Sequence, residues 1–372
     1  MPDEDPCGKL APKESTPIES LVQLRATPPD PGVRGGALVD RQSRTVRYLR
    51  VSLTDRCNYR CTYCMPEQGM QYGPRSQVLS LEEVVRLCAA FARWGVERVR
   101  LTGGEPTLRR GLVDLVERLS SIGTARGRLE VVMTTNGERL EAFAQPLARA
   151  GLHGITVSMD SLDPERFARI TRRGNLPRVL AGIRAAAAAG LGPVKINTVA
   201  IEGFNDDELG SITRWAWEQG AVPRFIELMP MSGGDLFVPG ELLPAQEVRA
   251  RVAAELGIEL RADDGDGVRG AGPATYWRAV GGPFDGRRLG TIAAMTENFC
   301  HSCNRLRVSA TGQLHACLAR DDTGDLRAAL RSSDPDRLEG VVRAALGTKR
   351  DGHGFNIDGS GGPSKAMVSI GG

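Results

Sequence analysis

The feature that most constrains this fold is a regular alternation of short β-type runs and amphipathic helical stretches, which begins at Val46. Strands are predicted at 47–53, 98–102, 130–134, 154–159, 194–201 and 223–228. Helices between them are predicted at 80–94, 111–121, 140–150, 176–189 and 206–219. Such alternation requires parallel pairing through βαβ crossovers. We therefore predict an α/β fold, a partial (β/α)6 TIM-like barrel, and keep a doubly wound sheet as the alternative.

Composition divides the chain into four parts. Residues 1–45 are rich in Pro, Gly and charge and are predicted to form a disordered extension. Residues 46–230 are predicted to form the barrel, and residues 231–350 a C-terminal extension with glycine-rich loops. Within this extension, strands are predicted near 275–280, 288–292 and 306–309, and helices near 326–330 and 336–346. Residues 351–372 are predicted to form a flexible arm ending in Gly-Gly.

Charge and hydropathy limit the function classes. The 48 basic and 45 acidic residues nearly balance, which argues against a nucleic-acid or membrane-surface binder. We find no apolar run long enough to span a bilayer and no signal-peptide layout, so we expect a cytoplasmic protein. In a reducing compartment, clustered cysteines are metal ligands rather than disulfides. Six of the eight cysteines fall into two groups of three, whereas Cys7 lies in the extension and Cys88 lies on an apolar helix face.

The first cysteine triad, Cys57, Cys61 and Cys64, follows the first predicted strand. Soft thiolates suit iron–sulfur clusters, zinc or copper(I). A structural zinc ion requires four ligands, and no further His or Cys lies nearby in the sequence. The triad therefore favours a 4Fe–4S cluster with one iron left open, and a zinc site completed by a distant ligand is the alternative.

The CxxxCxxC spacing after the first strand resembles the radical S-adenosylmethionine superfamily. The resemblance implies that the open iron chelates the methionine moiety and that the cluster's electron releases a 5′-deoxyadenosyl radical. Tyr63 matches the position that contacts the adenine. Gly104 and Glu105 follow the second strand, where the glycine allows close backbone approach and the carboxylate would accept from the methionine ammonium. Ser158 and Met229 match further S-adenosylmethionine contacts.

A second triad is formed by Cys300, Cys303 and Cys317. Zinc is again the alternative, with His301 or His315 as the fourth ligand. His301 lies between two of the thiols, where simultaneous ligation would be strained. We therefore favour a second 4Fe–4S cluster with one open iron.

The run FCHSCNRLR and the later Cys317 resemble the MoaA-type GTP 3′,8-cyclase family of molybdenum cofactor biosynthesis. The resemblance covers roughly residues 46–320 and the terminal Ile-Gly-Gly. It implies that the second cluster binds the guanine of GTP and that the Gly-Gly tail reaches the site. It also implies cyclisation of GTP to 3′,8-cyclo-7,8-dihydro-GTP, an external electron donor, and a downstream cyclic pyranopterin monophosphate synthase. Lys365 stands where the family often has arginine.

A polyanionic substrate requires cations in the barrel mouth. The GTP contacts that the resemblance implies are Arg50, Arg100, Thr134, Lys195, Arg305, Leu306 and Arg307. Arg305 and Arg307 lie on one face of their strand, and we predict them as the catalytic residues.

Two other functions remain open at this point. One is a radical S-adenosylmethionine peptide maturase with an auxiliary cluster. The other is a zinc-stabilised binding protein without catalysis. The sequence determines neither the electron donor nor the oligomeric state, for which a homodimer is one option.

Overall fold

The predicted strands and helices are present in the computed structural model, which describes residues 36–231, 237–263, 272–334 and 336–371. The strands of these ranges are β1 Tyr48–Ser52, β2 Arg98–Thr102, β3 Gly123–Thr124, β4 Gly127–Arg128, β5 Glu130–Thr135, β6 Gly154–Ser158, β7 Lys195–Ala200, β8 Val222–Glu227, β9 Glu259–Ala262, β10 Thr275–Val280, β11 Arg288–Ile292, β12 Arg305–Val308, β13 Gln313–His315 and β14 Gly324–Asp325. The α-helices are α1 Leu81–Arg93, α2 Leu112–Ser120, α3 Leu140–Arg149, α4 Pro164–Thr171, α5 Leu176–Ala188, α6 Leu209–Glu218, α7 Ala245–Leu256, α8 Leu326–Leu330 and α9 Arg337–Gly347.

The centre of the sheet is parallel and follows chain order. Strands β1, β2, β5, β6, β7 and β8 lie side by side, each parallel to the next. A doubly wound sheet would reverse its order at a switch point, and this sheet does not. Strands β12 and β11 extend the two edges in parallel. No hydrogen-bonded ladder among the described strands joins β11 to β12, so the barrel is partial and the predicted α/β barrel fold is confirmed.

Side-chain contacts inside the sheet show that it curls. Arg100 on β2 and Arg224 on β8 each donate to the Thr156 hydroxyl on β6, both at 3.0 Å. These three strands are not neighbours in the sheet. Their side chains meet because the sheet wraps around its own interior.

Helix α1 illustrates how local sequence sets the outer layer. Ser80 and Glu83 form a capping box in which each side chain accepts from the other residue's backbone N–H, at 3.1 and 2.7 Å. The helix then buries Leu87, Cys88 and Phe91 against the sheet. The predicted packing role of Cys88 is confirmed.

Ordered packing begins before the predicted boundary at residue 46. Leu38 is fully buried, and Arg44 forms an ion pair with Asp40 at an Nε–Oδ2 distance of 2.6 Å. The predicted disorder therefore does not extend through residues 36–45, because one buried leucine and a buried ion pair anchor a segment of otherwise polar composition. Residues 1–35, including Cys7, lie outside the described residues.

The described ranges contain neither a membrane-spanning helix nor a disulfide. No helix there has both the length and the apolar character needed to cross a bilayer. The seven cysteines of these ranges are all free thiols.

We expect Leu38→Ala to lower the free energy of unfolding by about 2–5 kcal/mol, because it removes a fully buried side chain. Chemical denaturation of the full chain measures this. Val39→Ala is the matched control, since Val39 is 48% exposed and its loss should change stability by no more than about 0.5 kcal/mol. Equal stabilities for the two variants would contradict the packing of residues 36–45.

Candidate active site

Both cysteine triads line one cavity, to which the carboxyl ends of the barrel strands contribute. The first triad follows β1, and the second lies between the end of β11 and the segment after β13. The six thiols of this cavity are Cys57, Cys61, Cys64, Cys300, Cys303 and Cys317. The structure therefore brings together every predicted metal ligand.

A tight turn shapes the first triad. The backbone N–H groups of Cys64 and Met65 both donate to the Cys61 carbonyl, at 3.0 and 3.2 Å. Burial is the main reason that the pKa of Cys57 is raised to about 11 and that of Cys64 to about 12. These thiols are neutral in the metal-free chain, so binding of iron must release protons.

The second triad has a different electrostatic setting. Burial alone would raise the pKa of Cys303, but Arg305 and Lys349 outweigh it and lower that pKa to about 6. Arg305 Nη2 lies 3.7 Å and Lys349 Nζ 3.5 Å from the Cys303 sulfur. This thiol is therefore largely a thiolate at neutral pH, ready to bind metal.

The donor sets fit clusters better than single ions. No group of three or more His, Cys, Asp or Glu side chains within the described ranges is arranged to hold one metal ion. His301 is exposed and His315 is buried in β13, and neither lines the cavity. A tetrahedral zinc ion would draw its ligands close together, whereas a cubane spreads three thiolates over three irons. The alternative of a zinc site with His301 or His315 is thus disfavoured.

The predicted S-adenosylmethionine contacts gather beside the first triad. Tyr63, Gly104, Ser158 and Met229 all line the cavity. The Tyr63 hydroxyl donates to Asp160 Oδ2 at 2.8 Å, and burial raises the pKa of Asp160 to about 6. Sequence reasoning missed this aspartate, which fixes the orientation of the Tyr63 ring.

Gly104 occupies a position where a side chain has no room. A Cβ there would lie 2.3 Å from the backbone oxygen of Arg56, in the loop that carries the first triad. The glycine therefore permits the turn after β2 to press against this loop, which is the close approach that the sequence predicts.

Glu105 does not reach the cavity wall. It is fully buried, and its carboxylate accepts from the Thr107 N–H and hydroxyl at 3.0 and 2.7 Å. The Thr135 hydroxyl and the Asn136 N–H also donate to this carboxylate, both at 2.7 Å. Because the chain's own donors engage both oxygens, we expect Glu105 to position the turn rather than to contact a ligand.

A second, strongly cationic pocket adjoins the cavity. The two share Arg50, Arg305, Arg307 and Thr134 in their walls. Arg100 and Lys195 line the cationic pocket alone, and Leu306 lies on the opposite face of its strand in the aliphatic core. All the predicted phosphate-binding cations therefore converge on this pocket.

Three of these arginines lie at one level of the sheet. Strand register places Arg307, Arg50 and Arg100 side by side on β12, β1 and β2. Burial and the neighbouring charge of Arg307 lower the pKa of Arg50 well below its usual range. Burial and the charge of Arg305 lower the pKa of Arg307 to about 10. Arg100 is buried and the other two are half-buried. A like-charged row so poorly solvated is unfavourable on its own and points to an anionic ligand.

Two cations of this pocket escaped the sequence analysis, Arg98 and Arg224. Arg224 is 6% exposed, and its Nε has no hydrogen-bond partner among the described residues. The signal was present, because Arg224 interrupts an apolar strand as Lys195 does. Burial, together with Arg224 and Arg100, lowers the pKa of Lys195 to about 8.

The C-terminal arm is seated in the barrel mouth. The carbonyl of Gly371 accepts from Arg50 Nε at 2.8 Å and from the Thr102 hydroxyl at 3.2 Å. Met367 and Val368 line the cavity beside it. Lys365 lies outside, where its Nζ donates to the Asp321 carbonyl at 3.3 Å. Gly372 lies outside the described residues.

Comparisons with known proteins agree with this site. The Radical SAM superfamily model matches residues 51–216, and the Molybdenum Cofactor Synthesis C model matches residues 222–355. A GTP 3′,8-cyclase of Rhodopseudomonas palustris (strain TIE-1) is 45% identical over 91% of this chain and 95% of its own. A GTP 3′,8-cyclase of Rhizobium meliloti (strain 1021) is 47% identical over 86% of this chain and 89% of its own. The crystal structure of Streptococcus suis SuiB bound to precursor peptide SuiA has a TM-score of 0.55 at 13% identity, over 80% of this chain and 66% of that one, which shows the fold alone.

A partial parallel barrel with a CxxxCxxC loop after its first strand defines a radical S-adenosylmethionine enzyme. Three further observations identify one family within this class: the second triad, the cationic pocket and the sequence match over almost the whole chain. The chain belongs to the GTP 3′,8-cyclase family. The predicted family, fold class and cofactor set of S-adenosylmethionine and 4Fe–4S clusters are confirmed.

We expect Glu105→Gln to lower the free energy of unfolding by about 1–3 kcal/mol, because an amide N–H₂ would face a buried donor. The affinity for S-adenosylmethionine should change much less than the stability. Equilibrium dialysis measures the affinity, and chemical denaturation measures the stability. Glu117→Gln, on the exposed face of α2, is the control and should alter neither. Loss of affinity at unchanged stability would instead make Glu105 a direct ligand.

We expect the affinity of the cationic pocket for inorganic tripolyphosphate to fall as pH rises through about 8. Lys195 is charged below this pKa and neutral above it, so binding above pH 8 must take up a proton, and affinity falls by up to about tenfold per pH unit. Calorimetric titration across this range measures the effect. Lys195→Arg stays charged, so it should show only the ligand's own titration, and identical pH profiles for the two proteins would contradict the assignment.

Proposed function

We propose that this chain catalyses the S-adenosylmethionine-dependent cyclisation of GTP to (8S)-3′,8-cyclo-7,8-dihydroguanosine 5′-triphosphate. This reaction is the first step of molybdenum cofactor biosynthesis. The observation that carries the proposal is the meeting of two cysteine triads in one cavity that continues into a row of half-buried and buried arginines. The curated relatives named GTP 3′,8-cyclase support it.

The two triads divide the cofactors between them. Cys57, Cys61 and Cys64 would hold the first 4Fe–4S cluster, and the later triad would hold the second. When bound, the first cluster and S-adenosylmethionine supply the one-electron chemistry, and the second cluster offers an open iron to the substrate. Because each triad supplies three thiolates, each cluster would have one iron without a protein thiolate.

The cationic pocket orients the nucleotide. Arg50, Arg100, Arg224 and Lys195 surround the space where a triphosphate would lie. Because this pocket opens into the cavity of both triads, phosphates bound there place the nucleoside between them. Orientation of this kind brings the reacting carbons together and reduces the entropic part of the barrier.

Arg305 and Arg307 lie at the junction of the two spaces. Their side chains reach the pocket from β12, which begins directly after the Cys303 loop. Arg305 also stacks over the Phe299 ring, with its guanidinium carbon 4.9 Å from the ring centroid. These two arginines can therefore hold the nucleotide against the second triad, which is the catalytic role we assign to them.

We propose a cytoplasmic enzyme that takes its electrons from an external donor and passes its product to a cyclic pyranopterin monophosphate synthase. A homodimer is the assembly to test by analytical ultracentrifugation. A peptide substrate is the competing function, and the row of arginines in the barrel interior favours a polyanion over a peptide.

We expect the anaerobically reconstituted protein to bind about eight irons per chain and to consume GTP and S-adenosylmethionine together. The assay compares GTP with a peptide pool and follows the products by mass spectrometry. Cys300→Ala should keep uncoupled cleavage of S-adenosylmethionine but lose cyclisation of GTP, because it disrupts only the second triad. If S-adenosylmethionine is consumed while GTP is not, the proposal fails, and equal loss of both activities in the variant would contradict separate cluster roles.

A further inference from the structure

A buried lysine outside the cysteine motifs contacts the second triad. Lys349, just after α9, is 4% exposed. Its Nζ donates to the carbonyls of Arg305 at 2.9 Å and Ala316 at 2.8 Å, and to the sulfur of Cys303 at 3.5 Å. All three N–H groups of the ammonium are thereby used. The side chain thus ties the segment before Cys317 to the segment after Cys303.

The charge of Lys349 lacks a carboxylate partner within the described part of the chain, where its three acceptors are two carbonyls and a sulfur. A buried ammonium without a counter-ion is unfavourable. The negative charge that can offset it is the cysteine thiolate, together with whatever that thiolate binds.

Arg44 also holds this loop, but by different contacts. Its Nη1 donates to the Cys300 carbonyl at 2.6 Å and its Nη2 to the Arg350 carbonyl at 2.8 Å. Its charge is neutralised by the buried Asp40, with Nε and Oδ2 2.6 Å apart. Arg44 therefore supports the loop mechanically, and its described contacts include no sulfur.

We propose that Lys349 is a positioning residue of the second cluster that also raises its reduction potential, whereas Arg44 only supports the loop. Hydrogen bonds to ligand sulfurs and nearby positive charge favour the reduced, more negative state of a cluster. Lys349 supplies both at Cys303, whereas Arg44 supplies neither. This inference rests on the second 4Fe–4S cluster of the proposed function.

The test is a potentiometric titration of the full-length protein with both clusters loaded, followed by electron paramagnetic resonance. Lys349→Met should shift the midpoint potential of the second cluster to more negative values and leave that of the first unchanged. Lys349→Arg keeps the charge and should retain most of the wild-type potential. The double variant Asp40→Asn/Arg44→Met, which removes the other support and both of its charges, should leave both potentials at their wild-type values.

Several outcomes would overturn the inference. One is an unchanged midpoint potential of the second cluster in Lys349→Met. Another is a shift of that potential in the Arg44 double variant as large as the shift in Lys349→Met. If Lys349→Met fails to hold the second cluster, Lys349→Gln, which keeps donors without charge, should hold it at a lowered potential. If both the Lys349→Gln variant and the Arg44 double variant lose the second cluster, the role of Lys349 is purely structural. A wild-type protein with only one cluster would instead refute the proposed function, and the iron count separates the two failures.

Discussion

The structure depends on one electrostatic constraint, the placement of several guanidinium groups at neighbouring positions inside a curled parallel sheet. Arg307, Arg50 and Arg100 share one register level, and the chain compensates them only in part. Arg100 donates to the hydroxyls of Tyr48, Thr134 and Thr156, which are neutral acceptors. The aliphatic layer between sheet and helices must therefore stabilise a barrel whose interior repels itself until an anion enters.

The iron-binding loops lie above this interior and are held from elsewhere in the chain. The first loop is pressed against the turn after β2, and the second is supported from both ends of the described chain, by Arg44 and by Lys349. The barrel strands give the cavity its walls, and these supports fix where the thiols lie in it. The site is thus rigid on the side of the metal ligands and charged on the side of the substrate.

Much of this arrangement could be predicted, and the failures have physical reasons. Hydrophobic periodicity places all six central strands within about two residues of the observed ends, and cysteine spacing identifies every thiol of the cavity. Helix α7 was missed because its buried stripe is narrow, formed by Ala245, Val248 and Val252. The anchoring of Arg44 was missed because its partner Cys300 lies 256 residues away. The enclosure of Glu105 depends on Thr135 and Asn136 at the end of another strand, and no local pattern shows such contacts.

The contact at Gly104 has a consequence for how this enzyme can vary. Backbone hydrogen bonds join the turn after β2 to the loop of the first triad. The Gly104 N–H donates to the Thr54 carbonyl at 2.7 Å, and the Glu105 N–H donates to the Arg56 carbonyl at 2.9 Å. Neither loop can shift without moving the other, because no side chain lies between them that could change its conformation instead. A substitution that displaces one segment therefore requires a matching change in its neighbour, because the two loops form a single rigid unit.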